Sequence, residues 1–243
     1  MEKDWFEKWF DSPYYHLLYR DRDHREAEFF IRNLSGKLRF RPGSRILDMA
    51  CGKGRHCIFL AKLGFDVTGT DISEQSITEA KLHERDNLNF YLHDMRKPFR
   101  VNYYDGVLNL FTSFGYFSNA TDNQRVIRNA ASALRAGGTF VLDFMNTSLV
   151  LKKLCPYEKK CIEGIDFEIR KEVRDGFIYK DISFTDQGRP FHFTERVQLL
   201  DAALIRKYFE QSGLEVVHLW GDYGLNDFNQ QTSPRLILAG KRS

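Results

Sequence analysis

Between about residues 44 and 145, short apolar runs alternate with amphipathic stretches of helical period. This alternation constrains the fold of the 243-residue chain more than any other feature. Residues 45–49, 65–70, 88–92, 104–110 and 139–144 read as strands. Ile58, Phe59, Leu60 and Ala61 belong to a helix closed by Gly64, and Ser73 caps a helix carrying Ile77, Ala80 and Lys81. Residues 121–134 form a third helix, ended by Gly137-Gly138. Parallel strands need such crossover helices, so the pattern predicts a mostly parallel sheet covered on both faces. Asp201 caps a further helix through Phe209 that stops at Gly213, and residues 214–220 and 236–241 supply two last strands.

The flanks have other periods. Trp5, Phe6, Trp9 and Phe10 fall at helical spacing until Pro13 breaks the run, and the default for all four is packing. Ala27, Phe29, Phe30, Ile31 and Leu34 form a second apolar face, and Arg41-Pro42-Gly43 is a turn. From about 160 to 200 the period drops to two. Phe167, Ile169 and Val173 precede an Asp175-Gly176 turn, Phe177 to Tyr179 resume extended chain, and Asp186-Gln187-Gly188 turns into Phe191, Phe193, Val197 and Leu199. The organisation predicted is a helical cap (1–41), a core built from 42–150 and 201–243, and an antiparallel insertion (151–200) serving as substrate lid or dimer contact.

Composition removes several classes. Net charge is +3 with both signs mixed, and no block of Lys and Arg forms a nucleic-acid arm. Lys152-Lys153 and Lys159-Lys160 read as solvated faces. Four cysteines without paired zinc spacing, no secretory signal and no bilayer-length apolar run place the chain in the reducing cytoplasm, off the membrane and without a metal. The aromatic share is 14%, which fills a core and can also line a pocket for a flat or cationic ligand.

The loop Asp48-Met49-Ala50-Cys51-Gly52-Lys53-Gly54-Arg55 lies between a strand and a helix. Its glycines allow close backbone approach, and the helix start offers N–H groups to an anion. A dinucleotide fingerprint needs Gly or Ala three residues after Gly54, where Cys57 stands, and a phosphate loop needs Gly-Lys-Ser/Thr, where Gly54 follows Lys53. Asp71 ends the next strand, 17 residues after Gly54. As a cap it is ordinary; with the loop, its two acceptor oxygens suit a ribose diol. Cys51 reads as a small apolar filler, and Arg55 and His56 as solvated positions opening a helix.

With these residues in hand, the chain resembles the class I S-adenosylmethionine methyltransferases over about residues 40–145, and more loosely over the last two strands. The resemblance implies a Rossmann-like seven-stranded sheet with the last strand antiparallel, and S-adenosylmethionine as cofactor. It places Asp48, Ala50, Cys51, Gly52, Lys53, Gly54, Arg55, Asp71 and Ile72 around the cofactor, with Asp71 on the ribose. Asp94 would accept from the adenine amino group and Met95 would pack on the ring. Asn109, Leu110 and Phe111 end the strand that faces sulfonium and substrate, and 134–140 resembles the turn into the fifth strand.

The position after the fourth strand reads Asn109-Leu110-Phe111-Thr112, without the prolines of amide methylators, and no proline precedes a cysteine as in cytosine-C5 enzymes. Nucleic acid is therefore disfavoured, and a small-molecule acceptor methylated on N or O is favoured. A non-catalytic binding module and an RNA or protein methyltransferase stand as alternatives, with monomer and homodimer both open. Candidates for the acceptor pocket are Tyr14, Tyr15, Tyr19, Phe114, Tyr116, His192 and Tyr223. His192, in an alternating strand, reads more readily as surface. No single residue is marked as a catalytic base, since an activated thioether leaving group demands alignment more than proton transfer.

Overall fold

A computed structural model describes residues 5–20, 24–117 and 119–243. Seven strands form the main sheet: β1 (Arg45–Met49), β2 (Asp66–Asp71), β3 (Leu88–Leu92), β4 (Tyr104–Asn109), β5 (Leu134–Met145), β10 (Leu214–Trp220) and β11 (Arg235–Arg242). Their order is β10-β11-β5-β4-β1-β2-β3, and β11 runs antiparallel to both neighbours. β1 leads into β2 on one side and lies beside β4 on the other, so the connections diverge there and leave a crevice beyond the strands' carboxyl ends.

Helices α3 (His24–Leu38), α4 (Arg55–Lys62), α5 (Glu74–Lys81), α6 (Ala120–Ala133) and α8 (Ala202–Glu210) cover the sheet. Ala27, Phe30, Ile31 and Leu34 of α3 are buried as its period predicts, whereas Phe29 faces outward. Ser73 and Asp201 cap α5 and α8 by accepting from the backbone N–H groups of Ser76 and Leu204. The glycine pair expected to stop α6 lies beyond its end. α6 passes at Leu134 directly into β5, and Gly138 lies so close to the Arg135 and Tyr104 carbonyls that a Cβ would sit 2.9 and 3.1 Å from them. Gly138 accommodates strand packing, whereas Gly137, at φ 76° and with nothing near a Cβ, turns the chain.

β6 (Tyr157–Ile162), β7 (Ile165–Arg174), β8 (Phe177–Asp186) and β9 (Arg189–Gln198) form a separate antiparallel sheet in simple order. Turns fall at Asp175-Gly176 and Gln187-Gly188 as read, each with positive φ. β6 and the short α7 (Thr147–Lys152) are not marked by periodicity: β6 buries only Ile162 fully. Phe167 and Ile169 point inward, while Val173 is exposed near the sheet edge.

Two short helices, α1 (Trp5–Phe10) and α2 (Pro13–Leu18), pack on this second sheet through Trp9, Leu18, Phe167, Ile182 and Phe184. Pro13 breaks the first helix and starts the second, at the position where its missing N–H costs nothing; Ser12 caps it. No helix among the described residues is long and apolar enough to cross a membrane.

Candidate functional site

The glycine loop before α4 is shaped by left-handed backbone. Ala50, Gly52 and Gly54 have φ of 60°, 55° and 80°. Gly54 is the N-cap of α4, and a Cβ there would lie 2.5 Å from the Phe90 ring. At Gly69 a Cβ would meet Phe90 and Cys51 Sγ at 2.6 and 2.8 Å. Cys51 is thus a wedge between loop and sheet, and burial pushes its thiol up to about 11, which keeps it unreactive as read.

Above the loop lies a cavity of about 520 Å³, a usual size for a small-ligand site. Asp48, Ala50, Cys51, Gly52, Lys53 and Arg55 line it from the loop, with Asp71, Ile72, Asp94, Met95, Leu110 and Phe111 from the next three strand ends. His56 is buried rather than solvated, half-buried Arg55 lies 4.2 Å over the Phe111 ring, and both line the cavity.

Asp71 is buried. Its Oδ2 accepts from Gly52 N at 2.7 Å and its Oδ1 from Ser73 N at 2.8 Å. Burial raises its pKa, and these N–H groups oppose the rise. The Ile72 N–H also lowers it, and a carboxylate with about four acceptor sites keeps capacity for a hydroxyl beside these three N–H groups. Asp94 is pushed up by burial but pulled further down by Arg96, which binds both its oxygens at 2.9–3.0 Å through Nε. Asp48 is fully buried, accepts from Cys57 Sγ at 3.3 Å, and is raised by burial to about 7.

The opposite wall belongs to the lid. Phe6, Phe10, Tyr15 and Tyr19 from the first helical segment face Tyr116 and Phe117. The default of packing therefore holds for Trp9 and Phe6, both buried, although Phe6 also lines the cavity together with Phe10. The lid is tied to both acids' loops. Asp11 Oδ1 accepts from Ser73 Oγ and Gln75 N at 2.9 Å each, and Glu7 lies 3.9 Å from the Arg96 that holds Asp94. Sequence reading missed these links, because a lone carboxylate in a helical segment carries no local signal of a distant partner.

Several candidates stand outside the cavity. Asn109 is buried behind the wall and donates through Nδ2 to Met49 O and Ser113 O. Gly54 acts from below, through its approach to Phe90. Phe114 is fully buried and packs against Phe144. Tyr14 donates to Asp186 at 2.8 Å, and His192 is exposed on β9 beside Ser183. Tyr223 stacks behind Phe111 and donates to Asp143 at 3.2 Å.

Asp143 organises the segment after β4. Phe111 and Thr112 both adopt left-handed backbone, φ 57° and 61°. Asp143 Oδ2 accepts from Phe111 N at 2.8 Å, and the Asp143 carbonyl accepts from Thr112 N at 3.0 Å. Arg235 pairs with Asp143 Oδ1 at 2.7 Å and donates to Thr112 Oγ1 at 2.9 Å. The buried ion pair holds a strained turn against the cavity.

The family model for "Methyltransferase domain" matches residues 40–188. The chain is similar to a glycine/sarcosine N-methyltransferase of Aphanothece halophytica, 27% identical over 89% of this chain and 80% of that one. It is also similar to a ubiquinone biosynthesis O-methyltransferase of Xanthomonas campestris, 25% identical over 67% and 66% of the two chains. A crystal structure of an S-adenosylmethionine-dependent methyltransferase from Clostridium acetobutylicum shares the fold, with a TM-score of 0.80, 18% identity and coverage of 95% and 96%. A glycine loop with left-handed turns, a buried acid at the end of the second strand and a seven-stranded sheet with β11 reversed agree with that match, and the chain belongs to the methyltransferase-domain family as an S-adenosylmethionine-dependent methyltransferase.

Proposed function

We propose that the protein methylates a nitrogen or oxygen of a small molecule that enters beneath the α1–α2 lid. The observation carrying this reading is a cavity with two unlike walls: acids and glycine backbone on the strand ends, aromatic rings on the lid side. The first wall suits the adenosine and amino-acid parts of the cofactor. Asp71 would hold the ribose hydroxyls, Asp94, Met95 and Ile72 the adenine, and the loop before α4 the carboxylate.

S-adenosylmethionine supplies a methyl group on a sulfonium whose thioether leaves readily. The chain's own work is alignment and exclusion of water. The turn braced by Asp143 sets Leu110 and Phe111 against the cavity, while Phe6, Phe10 and Phe117 close the lid side. Tyr15, His16, Tyr19, Arg20 and Tyr116 give that side its polar atoms, and Tyr116 donates to Thr112 O. The relatives' names support both branches, one an N- and one an O-methyltransferase.

The test is a panel of small amines and hydroxyl compounds incubated with S-adenosylmethionine, with S-adenosylhomocysteine production as the readout. Turnover with at least one member is expected. Product formed only with RNA or protein would replace this reading with a macromolecular one, and no product with any acceptor would leave a binding module.

A further inference from the structure

Beside the main cavity, a recess of about 100 Å³ lies between α1, the α2 end, β9 and the turn after β4. Phe10, Tyr15, Tyr19, Phe111 and Tyr116 line both spaces, so the two adjoin across these side chains. The recess has one charged group in its wall, Glu195, and is otherwise mostly aromatic. Resting on the small-molecule reading above, we infer that this recess is an amine subsite. It receives the nitrogen-bearing head of the methyl acceptor, with Glu195 as its counter-charge.

Glu195 is built in rather than placed by chance. Its Oε1 accepts from Trp9 Nε1 at 2.7 Å, and Tyr19 OH lies 2.7 and 2.8 Å from its two oxygens. Lys180 stands 3.5 Å from Oε2 and lies over the Tyr19 ring at 4.5 Å, yet lines neither space. It braces the carboxylate from outside the wall. Two oxygens offer about four acceptor sites, so capacity remains for an N–H donor entering the recess.

The rings form a continuous cage. Trp5 meets Phe10 and Tyr116 at 5.9 and 5.7 Å between centroids; Phe10 meets Tyr116 at 5.1 Å and Tyr15 at 4.9 Å; Tyr15 meets Tyr19 at 5.0 Å. Ring faces attract ammonium groups and give a neutral hydroxyl no equivalent gain. An anionic head is excluded by the carboxylate. The volume equals roughly three waters at about 30 Å³ each, enough for an aliphatic amine with small substituents. The rest of the acceptor extends into the larger cavity. Trp5, which also lines the recess, has a buried indole N–H with no hydrogen-bond partner among the described residues.

The test uses the full chain saturated with S-adenosylhomocysteine. Trimethylammonium chloride and tert-butanol, a neutral compound of similar shape, are titrated by calorimetry and by tryptophan fluorescence. The cation should bind about tenfold more tightly than the alcohol. In Glu195→Gln, whose amide oxygen still accepts from Trp9 and Tyr19, that preference should fall to within about threefold while S-adenosylhomocysteine affinity stays the same. Trp5→Leu leaves the Glu195–Lys180 pair intact and should weaken the cation several-fold, which decides the matter if Glu195→Gln does not fold. Equal affinity for the two probes, or a preference untouched by both substitutions, overturns the subsite. That failure is separate from failure of the small-molecule reading, which the turnover panel alone decides.

Discussion

Replacing Arg235 by Met tests whether its ion pair with the buried Asp143 shapes the cavity wall. Asp143 is fully buried, and Arg235 is the charge opposite it. Removing one partner of such a pair costs about 3–5 kcal/mol, because the other charge remains without compensation. In a domain of this size each kcal/mol lowers Tm by roughly 2–4 °C, so a fall of about 6–20 °C is expected at pH 8. The sign of the pH dependence follows from Asp143. Burial already raises its pKa, and Arg235 is the first influence opposing that rise. Without Arg235 the folded carboxyl titrates still further above its unfolded value. The folded state then binds a proton that the unfolded state lacks, and stability is lost as pH rises through that window. The penalty should shrink by more than half on going from pH 8 to pH 5. Adding Asp143→Asn should recover much of it at pH 8. Loss of the Arg235–Thr112 bond should weaken S-adenosylhomocysteine about fivefold, the equivalent of ~1 kcal/mol for one hydrogen bond. Urea unfolding across pH and calorimetric titration supply both readouts. A cost under ~1 kcal/mol at pH 8, or one that does not vary with pH, would refute the reasoning.

Three further substitutions probe other parts of the site. Gly54→Ala forces a Cβ against Phe90 at φ +80°, so a loss of roughly 1–3 kcal/mol in urea and weaker cofactor binding are expected; an unchanged midpoint would show that the loop relaxes freely. Asp48, held at about 7 against an ordinary 3.8, is protonated in the fold below neutrality and costs stability as pH rises through that interval. Asp48→Asn should therefore match the native chain near pH 4 and exceed it by up to about 4 kcal/mol at pH 8, and a difference independent of pH would contradict the burial argument. Phe114→Ala should destabilise by about 3–5 kcal/mol as a core cavity while leaving S-adenosylhomocysteine affinity unchanged once folded; lost affinity in a stable variant would return Phe114 to the site.

The parts of the molecule legible in its sequence are those whose signal is local. The alternation from Arg45 to Phe144 marked the parallel strands, and the two loop glycines and Asp71 marked one end of the cavity, because strand period, turn chemistry and strand-end acids are written within a few residues. The four-stranded sheet was legible only where inward Phe and Ile alternate. β6 buries little, so nothing in its composition announces a strand. The acceptor side was the least legible. Tyr15, Tyr19 and Tyr116 do line the cavity, but Tyr14 and Phe114, one residue before Tyr15 and two before Tyr116, do not. Which of two neighbouring aromatics faces a cavity is decided by helix phase and by partners far along the chain. Glu195 and Asp143 carried no sequence signal for the same reason: their significance lies in Trp9, Tyr19 and Arg235, which only folding brings near.

Asp71 is proposed to hold S-adenosylmethionine in the cavity over the glycine loop. Calorimetric titration of S-adenosylhomocysteine into the native chain and into Asp71→Ala measures it directly. A dissociation constant in the micromolar range is expected for the native chain, and a value at least tenfold weaker for the variant, since two hydrogen bonds to a charged acceptor are removed. Equal affinity in the two proteins, or no binding to a folded native chain, would contradict it.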